Sequence, residues 1–308
     1  MRTQAFSRFL GIFLLLGALL LVACSSPYNA SSSGKLQVVA TTTIVADVVR
    51  QIGGDNIDLT TLMPVGTDPH AFQPAPQDAA KVANAKLIFA NGAGLEAFLQ
   101  PLLQNAGSQA KVIEVSDGIH LLNSTEIETG RANTGDPHTW FDPNNVIIWT
   151  QNIEKSLSAA DPQHAAQYAA NAKQYQQKLQ ELDAWIKQQV DQIPVANRQL
   201  VTDHAAFTYF ANRYGFQQTG AIVPGYSTES QPTAQELARL EDSIRKLGVK
   251  AVFVGETVNP SLSEQVAKDT GVQLVYLYTA SLTAANGPAP TYIDMMHYDV
   301  SKIVEALK

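Results

Sequence analysis

Residues 161–194 read DPQHAAQYAANAKQYQQKLQELDAWIKQQVDQIP, and this stretch decides the architecture. Asp161 suits a helix N-cap and Pro162 a first helical position. Ala, Gln, Lys, Glu and Leu, all strong helix formers, follow as far as Pro194. Tyr168, Ala172, Tyr175, Leu179, Leu182, Ile186, Val190 and Ile193 recur at steps of four and three, which makes one apolar stripe on one helix face. At ~1.5 Å per residue, a helix over 161–194 would run roughly 48 Å, long enough to join two lobes.

On either side of it the chain alternates between strands and helices. Before it, strands are expected at Leu36–Thr41, Asp58–Met63, Lys86–Ala90 and Val112–Val115, with helices over Thr43–Ile52, Asp78–Ala85 and Leu95–Asn105. Asp142-Pro143 has the form of a further helix cap. After it, strands are expected at Gln199–Thr202, Ala251–Val254 and Gln273–Leu277, and helices over Ala205–Tyr214, Ala234–Leu247, Ser261–Thr270 and Tyr292–Leu307. The halves rhyme: Val38-Val39-Ala40-Thr41 and Leu200-Val201-Thr202-Asp203 each lead into a helix ending at Gly. The expected fold is therefore α/β, with two similar lobes of mainly parallel sheet, residues 35–160 and 195–308, joined by one long rigid helix over 161–194. Ligands of such sheets sit beyond the carboxyl ends of the strands, which puts the expected site in the cleft between lobes.

The N-terminus is read apart from the fold. Arg2 and Arg8 precede an apolar run from Phe9 to Val22 that ends in Leu21-Val22-Ala23-Cys24, the pattern of a secretory signal over 1–23. Cys24 is the sole cysteine, so it has no disulfide partner and builds no cysteine-rich metal site. Residues 24–34 read as a polar, flexible tether. About 275 residues remain for the fold, enough for one large or two medium domains. Removing Arg2 and Arg8 moves the net charge from −7 to −9, which argues against nucleic acid as a partner and is compatible with cation capture.

Three of the six histidines stand at element ends: His70 in Gly-Thr-Asp-Pro-His, His138 in Asp-Pro-His-Thr-Trp, and His204 in Thr-Asp-His-Ala-Ala-Phe. Each has an Asp one or two residues earlier: Asp68, Asp136 and Asp203. Neutral imidazole suits zinc and other later transition metals, and a carboxylate commonly orients its second nitrogen. Singly, each histidine reads as an ordinary loop residue and each Asp-Pro as a turn. Together they read as a metal set. His120, His164 and His297 lack this context. His164 reads as solvated and His297 as structural.

These motifs resemble the zinc- and manganese-binding solute-binding lipoproteins that serve ABC importers. The resemblance rests on residues 66–70, 136–143 and 202–207, and on Tyr278-Thr279-Ala280-Ser281-Leu282 followed by Tyr292-Ile293-Asp294-Met295-Met296. Leu21-Val22-Ala23-Cys24 likewise resembles a lipobox, which implies lipid attachment to Cys24 and a place outside the cytoplasm, tethered to the membrane. The resemblance implies two lobes with a metal between them, the ligands His70, His138 and His204, and a membrane permease as partner; a monomer is expected. Ala280 stands where the family supplies an aspartate ligand. The fourth position then falls to water or to Glu256, with Asp294 a weaker candidate. A donor set without carboxylate favours Zn²⁺ over Mn²⁺. Against zinc, residues 121–137 lack the long His-rich loop of many zinc members. Two other functions fit parts of the pattern. Three histidines with an open position also describe a zinc hydrolase, with Glu256 as its base, although no His-Glu-x-x-His helix is present. A surface adhesin is the other, but the chain shows no repeats.

Overall fold

The computed structural model describes residues 34–122 and 135–308. The signal segment, Cys24, nearly all of the tether and most of the 121–137 connection lie outside the described residues.

The first half builds a sheet from β1 (Leu36–Ala40), β2 (Ile57–Thr61), β3 (Leu87–Ala90) and β4 (Lys111–Glu114). Its order is β2-β1-β3-β4 and every pairing is parallel. The crossovers carry α1 (Thr43–Gly53), α2 (Pro76–Ala83) and α3 (Leu99–Ala106). The second half repeats the plan with β5 (Gln199–Thr202), β6 (Gln217–Ala221), β7 (Ala251–Gly255) and β8 (Gln273–Leu277), ordered β6-β5-β7-β8 and again parallel. Its helices are α6 (Thr208–Tyr214), α7 (Ala234–Leu247), α8 (Ser261–Thr270) and α9 (Tyr292–Leu307). Between the sheets run α4 (Pro143–Ala160) and α5 (Ala165–Val190). No helix among the described residues is long and apolar enough to cross a membrane.

Local chemistry sets the element ends. The Thr42 hydroxyl accepts from the Val45 N–H and starts α1. Asp142 does the same for Asn144 at α4, with Pro143 at the first helical position. A reciprocal Thr233–Glu236 box opens α7. The linking helix is shorter than expected. Pro162–His164 forms a 3₁₀ turn, and α5 covers 26 residues, about 39 Å. Here the Asp161 carboxylate meets the ring of His164 (2.7 Å) and the hydroxyl of Tyr168 (2.7 Å), so His164, whose side chain is 38% exposed, is both solvated and bonded.

The apolar stripe of α5 is buried along its length, from Tyr168 to Val190. It belongs to one continuous core that includes Val38 and Phe89 of the first sheet, Leu200 and Phe253 of the second, and Met295 of α9. Each sheet also has a smaller core on its other face, around Ile88 and Leu102 in one half and Val252 and Ile244 in the other. Two parallel sheets thus share one apolar interior, against which the long helix packs one face.

Candidate metal centre

Each of the three histidines emerges just beyond regular structure. After β2 the chain turns at Pro64, and Gly66 takes a left-handed φ of 79° that admits glycine readily. His70 follows four residues later. His138 stands between Asp136 and the 3₁₀ turn Thr139–Phe141 that leads to α4. His204 follows β5 directly, where the order of the second sheet reverses between β5 and β7. The expected start of α6 at Ala205 is displaced to Thr208. The reason is local: the Thr202 hydroxyl and the Ala206 N–H both donate to the His204 carbonyl (2.6 and 2.8 Å), which bends this segment into a turn.

The structure brings His70, His138 and His204 together. Nε2 of His138 lies 3.1 Å from Nε2 of His70 and 3.1 Å from Nε2 of His204. Their metal-binding atoms all fall within 4.8 Å of one another, and His138 and His204 are buried. Two carboxylates fix the rings from behind. Nδ1–H of His138 donates to Asp136 Oδ1 and Nδ1–H of His204 to Asp203 Oδ1, each at 2.7 Å. Both bonds turn the Nε2 lone pair towards the shared centre. Asp203 is itself held, because its second oxygen accepts the Gly255 N–H at 2.7 Å. A side chain at Gly255 would collide with Thr279 Oγ1, so the close approach requires glycine. Asp68 behaves differently from the other two aspartates. It accepts the backbone N–H of His70 (2.9 Å) rather than a ring nitrogen.

Burial, aided by its neighbouring imidazoles, pushes His70 down to about 2. The same cause holds His138 well below the usual range. Burial would also lower His204, but the Asp203 carboxylate outweighs it and the net shift is upward. Burial raises the Asp136 carboxyl to about 7, whereas Asp203, opposed by burial, is lowered by the charge and hydrogen bond of His204. Three imidazoles this close cannot all be cationic, and of the three His204 alone is shifted towards its charged form.

A tetrahedral zinc site with metal–nitrogen bonds of ~2.0–2.1 Å has nitrogen–nitrogen edges of about 3.3–3.4 Å. The two 3.1 Å edges are close to that spacing. The donors are all nitrogen, and the ring of Trp140 packs edge-on against His138 at 5.2 Å.

Glu256 is not in this group. It is exposed just past β7, its backbone N–H on the Leu277 carbonyl, and does not supply the fourth position suggested for it. A hydrolase built on these histidines loses its candidate base. Asp294 lies in the first turn of α9, where it accepts the hydroxyl of the N-cap Thr291, and is also outside the group. Ala280 is buried between Thr279, whose carbonyl accepts from Trp140 Nε1, and Ser281, whose hydroxyl accepts the Gly66 N–H. His297 packs against the Trp185 ring at 4.1 Å, a structural contact as expected. Sequence reasoning missed Thr228, whose hydroxyl donates to Asp68 from a loop of the second half. No local signal marks it.

The zinc-uptake complex component A periplasmic family model matches residues 38–306. The chain belongs to this family. It is therefore a substrate-binding protein of a metal ABC importer, not an enzyme. It is 37% identical over 303 residues to the metal ABC transporter substrate-binding lipoprotein SsaB of Streptococcus sanguinis, covering 96% of each chain. It is 36% identical to the manganese ABC transporter substrate-binding lipoprotein PsaA of Streptococcus pneumoniae, covering 96% of this chain and 97% of that one. The Mn-bound periplasmic metal binding protein of Candidatus Liberibacter asiaticus superposes with a TM-score of 0.80 at 30% identity, over 89% of this chain and 100% of that one. The periplasmic zinc binding protein TroA of Treponema pallidum does so with a TM-score of 0.80 at 27% identity, over 89% and 99%. These structures share the two-lobed α/β fold, and the family binds divalent metals.

Proposed function

We propose that this importer component captures Zn²⁺ in preference to Mn²⁺, with His70, His138 and His204 as its protein ligands. The observation that carries the reading is the donor set: three imidazoles whose metal-binding atoms lie within 4.8 Å of one another, with Nε2 of His138 3.1 Å from each of the other two, two of the rings aimed by carboxylates, and no carboxylate oxygen among them. Zinc accepts an all-nitrogen set, while Mn²⁺ is better served by oxygen. Ala280 removes the carboxylate expected in the late motif, which leaves the fourth position to solvent. Relatives differ in cargo: PsaA is named for manganese, MtsA of Streptococcus pyogenes for iron and TroA for zinc, so the choice here rests on this chain's own donors.

The working form is a monomer anchored outside the cytoplasm through a lipid on Cys24, and it hands its metal to the membrane permease. Relatives named as lipoproteins support the anchor. Replacing Cys24 by Ala should release the protein from the membrane fraction; retention would remove the anchor from this account.

The decisive experiment is metal analysis and titration of the form beginning at Ser25, beside a His70→Ala/His204→Ala double variant. One tightly held zinc per chain, lost in the variant and not displaced by manganese, is the expected result. Tighter manganese than zinc would overturn the zinc assignment, and metal retained by the variant would overturn the site.

A further inference from the structure

Carboxylates hold the rings of His138 and His204, whereas the loop that carries His70 is tied to the second half by two bonds, one at Asp68 and one at Gly66. Asp68 spans the first: Oδ1 accepts the His70 N–H and Oδ2 accepts the Thr228 hydroxyl, 160 positions along the chain. In the second, the Gly66 N–H donates to Ser281 Oγ at 2.9 Å. Both C-terminal partners are well rooted. The Thr228 loop is tied back beside His204, with the Val223 N–H on the Asp203 carbonyl (2.7 Å) and the Ala205 N–H on the Gly225 carbonyl (2.9 Å). The Ser281 segment is held by Trp140 Nε1 on the Thr279 carbonyl and by the Leu282 N–H on Thr43 Oγ1. The His70 loop, by contrast, is a long irregular stretch between β2 and α2. It exposes Val65, and His70 is the one histidine of the three that is only partly buried.

We infer that Asp68–Thr228 and Gly66–Ser281 are paired latches that set the lifetime of the bound metal, and that His70 is the ligand released first on delivery. This rests on the proposed metal site. Thr228 and Ser281 are positioning residues: neither belongs to the imidazole cluster, and each acts on it through the His70 loop. The latches are few and polar, so a docking permease that competes for Asp68 or Gly66 can free His70 without disturbing the shared apolar core. His138 and His204 stay behind as the fixed half of the site.

The test separates release from capture. Zinc-loaded protein is mixed with excess chelator in stopped flow, and association is followed separately. A hydrogen bond to a carboxylate is worth enough to change a rate about tenfold, so Thr228→Val is expected to release zinc about tenfold faster. Association should change by no more than about twofold, since such contacts act mainly on dissociation. Thr228→Ser restores the hydroxyl and should restore the wild-type release rate. The metal-free variants should keep the wild-type thermal midpoint, which a general loosening of the fold would lower. Ser281→Ala tests the second latch independently and carries the experiment if Thr228→Val does not fold. Unchanged release from variants that still hold one zinc would overturn the latches while sparing the site. If wild-type protein takes no zinc, the release assay is run with manganese, and binding of neither overturns both.

Discussion

The two halves of the molecule have the same sheet order and place a buried carboxylate where that order reverses, yet they use it for different ends. In the first half Glu96 accepts from the Thr41 hydroxyl (2.7 Å) and from the backbone N–H groups of Asn91 and Gly92 (2.7 and 3.1 Å). Every bond closes on the lobe itself. In the second half Asp203 also accepts a strand-end N–H, that of Gly255, but its other oxygen orients the ring of His204. One crevice is sealed and structural; the other is wired to the metal centre. The first half contributes its histidines from elsewhere, in the connection after β2 and the segment before α4. Topology supplies two equivalent crevices, and side-chain chemistry decides which becomes part of a site.

Equal damage to the two crevices should therefore have unequal results. His204→Ala is expected to abolish stoichiometric metal binding while the protein stays folded. Glu96→Ala leaves three buried donors without their acceptor, at about 1–3 kcal/mol each, and should lower the unfolding free energy of the metal-free protein by about 3 kcal/mol or more. It should leave one metal per chain. Metal content by elemental analysis, beside urea unfolding, reads both. Loss of metal in Glu96→Ala would break the comparison.

A finer cut spares the ligands. Asp203→Asn presents an NH₂ donor either to the His204 ring or to the Gly255 N–H, so it spoils the imidazole tautomer or the support behind it. Loss of a partner behind a metal ligand typically costs about 10–100-fold in affinity. Glu96→Gln should leave affinity where it is. Equal affinities for Asp203→Asn and the wild type would mean that the carboxylate is packing, not orientation.

The two halves were not equally legible in the sequence. The parallel sheets, the long helix and the trio of histidines follow from periodicity, turn residues and the Asp-Pro-His pattern. Strand β6 was not foreseen because Gln217-Gln218-Thr219-Gly220-Ala221 is polar and contains glycine. It is an edge strand whose pairing with β5 is irregular near Leu200, so tertiary contact rather than propensity makes it a strand. The linking helix was overdrawn at both ends because composition cannot distinguish a 3₁₀ turn at Pro162 or a stop at Val190 from continued helix. Glu256 was a reasonable candidate by its place at a strand end, but distance from the imidazoles is a three-dimensional fact. Asp68 was foreseen as a partner of His70, though not that it would bind the backbone on one side and Thr228 on the other.

The missing carboxylate offers a way to sharpen the metal choice. Ala280→Asp adds an oxygen donor to the segment between Thr279 and Ser281, both of which are bonded to site-bearing parts of the first half. It should raise manganese affinity relative to zinc. Competition titration of the two metals checks this, and an unchanged ratio would show that position 280 does not reach the metal.

The smallest expected effect concerns the helix that joins the halves. Asp183 of α5 accepts from Arg213 and Tyr214 of α6, from Lys187 of its own helix, and from Asn144 at the start of α4. Burial would raise its carboxyl, but these donors outweigh it and lower the pKa from 3.8 to about 2. A folded pKa below the unfolded value means that the stabilising contribution is complete above about pH 4 and lost as pH falls towards 2. Arg213 and Lys187 are substantially solvent-accessible, so screening keeps the contribution modest. Thermal midpoints of metal-free wild type and Asp183→Asn should therefore differ at neutral pH and converge between pH 4 and 2. A constant gap across that range would show that Asp183 joins the halves by shape and neutral hydrogen bonding rather than by its charge.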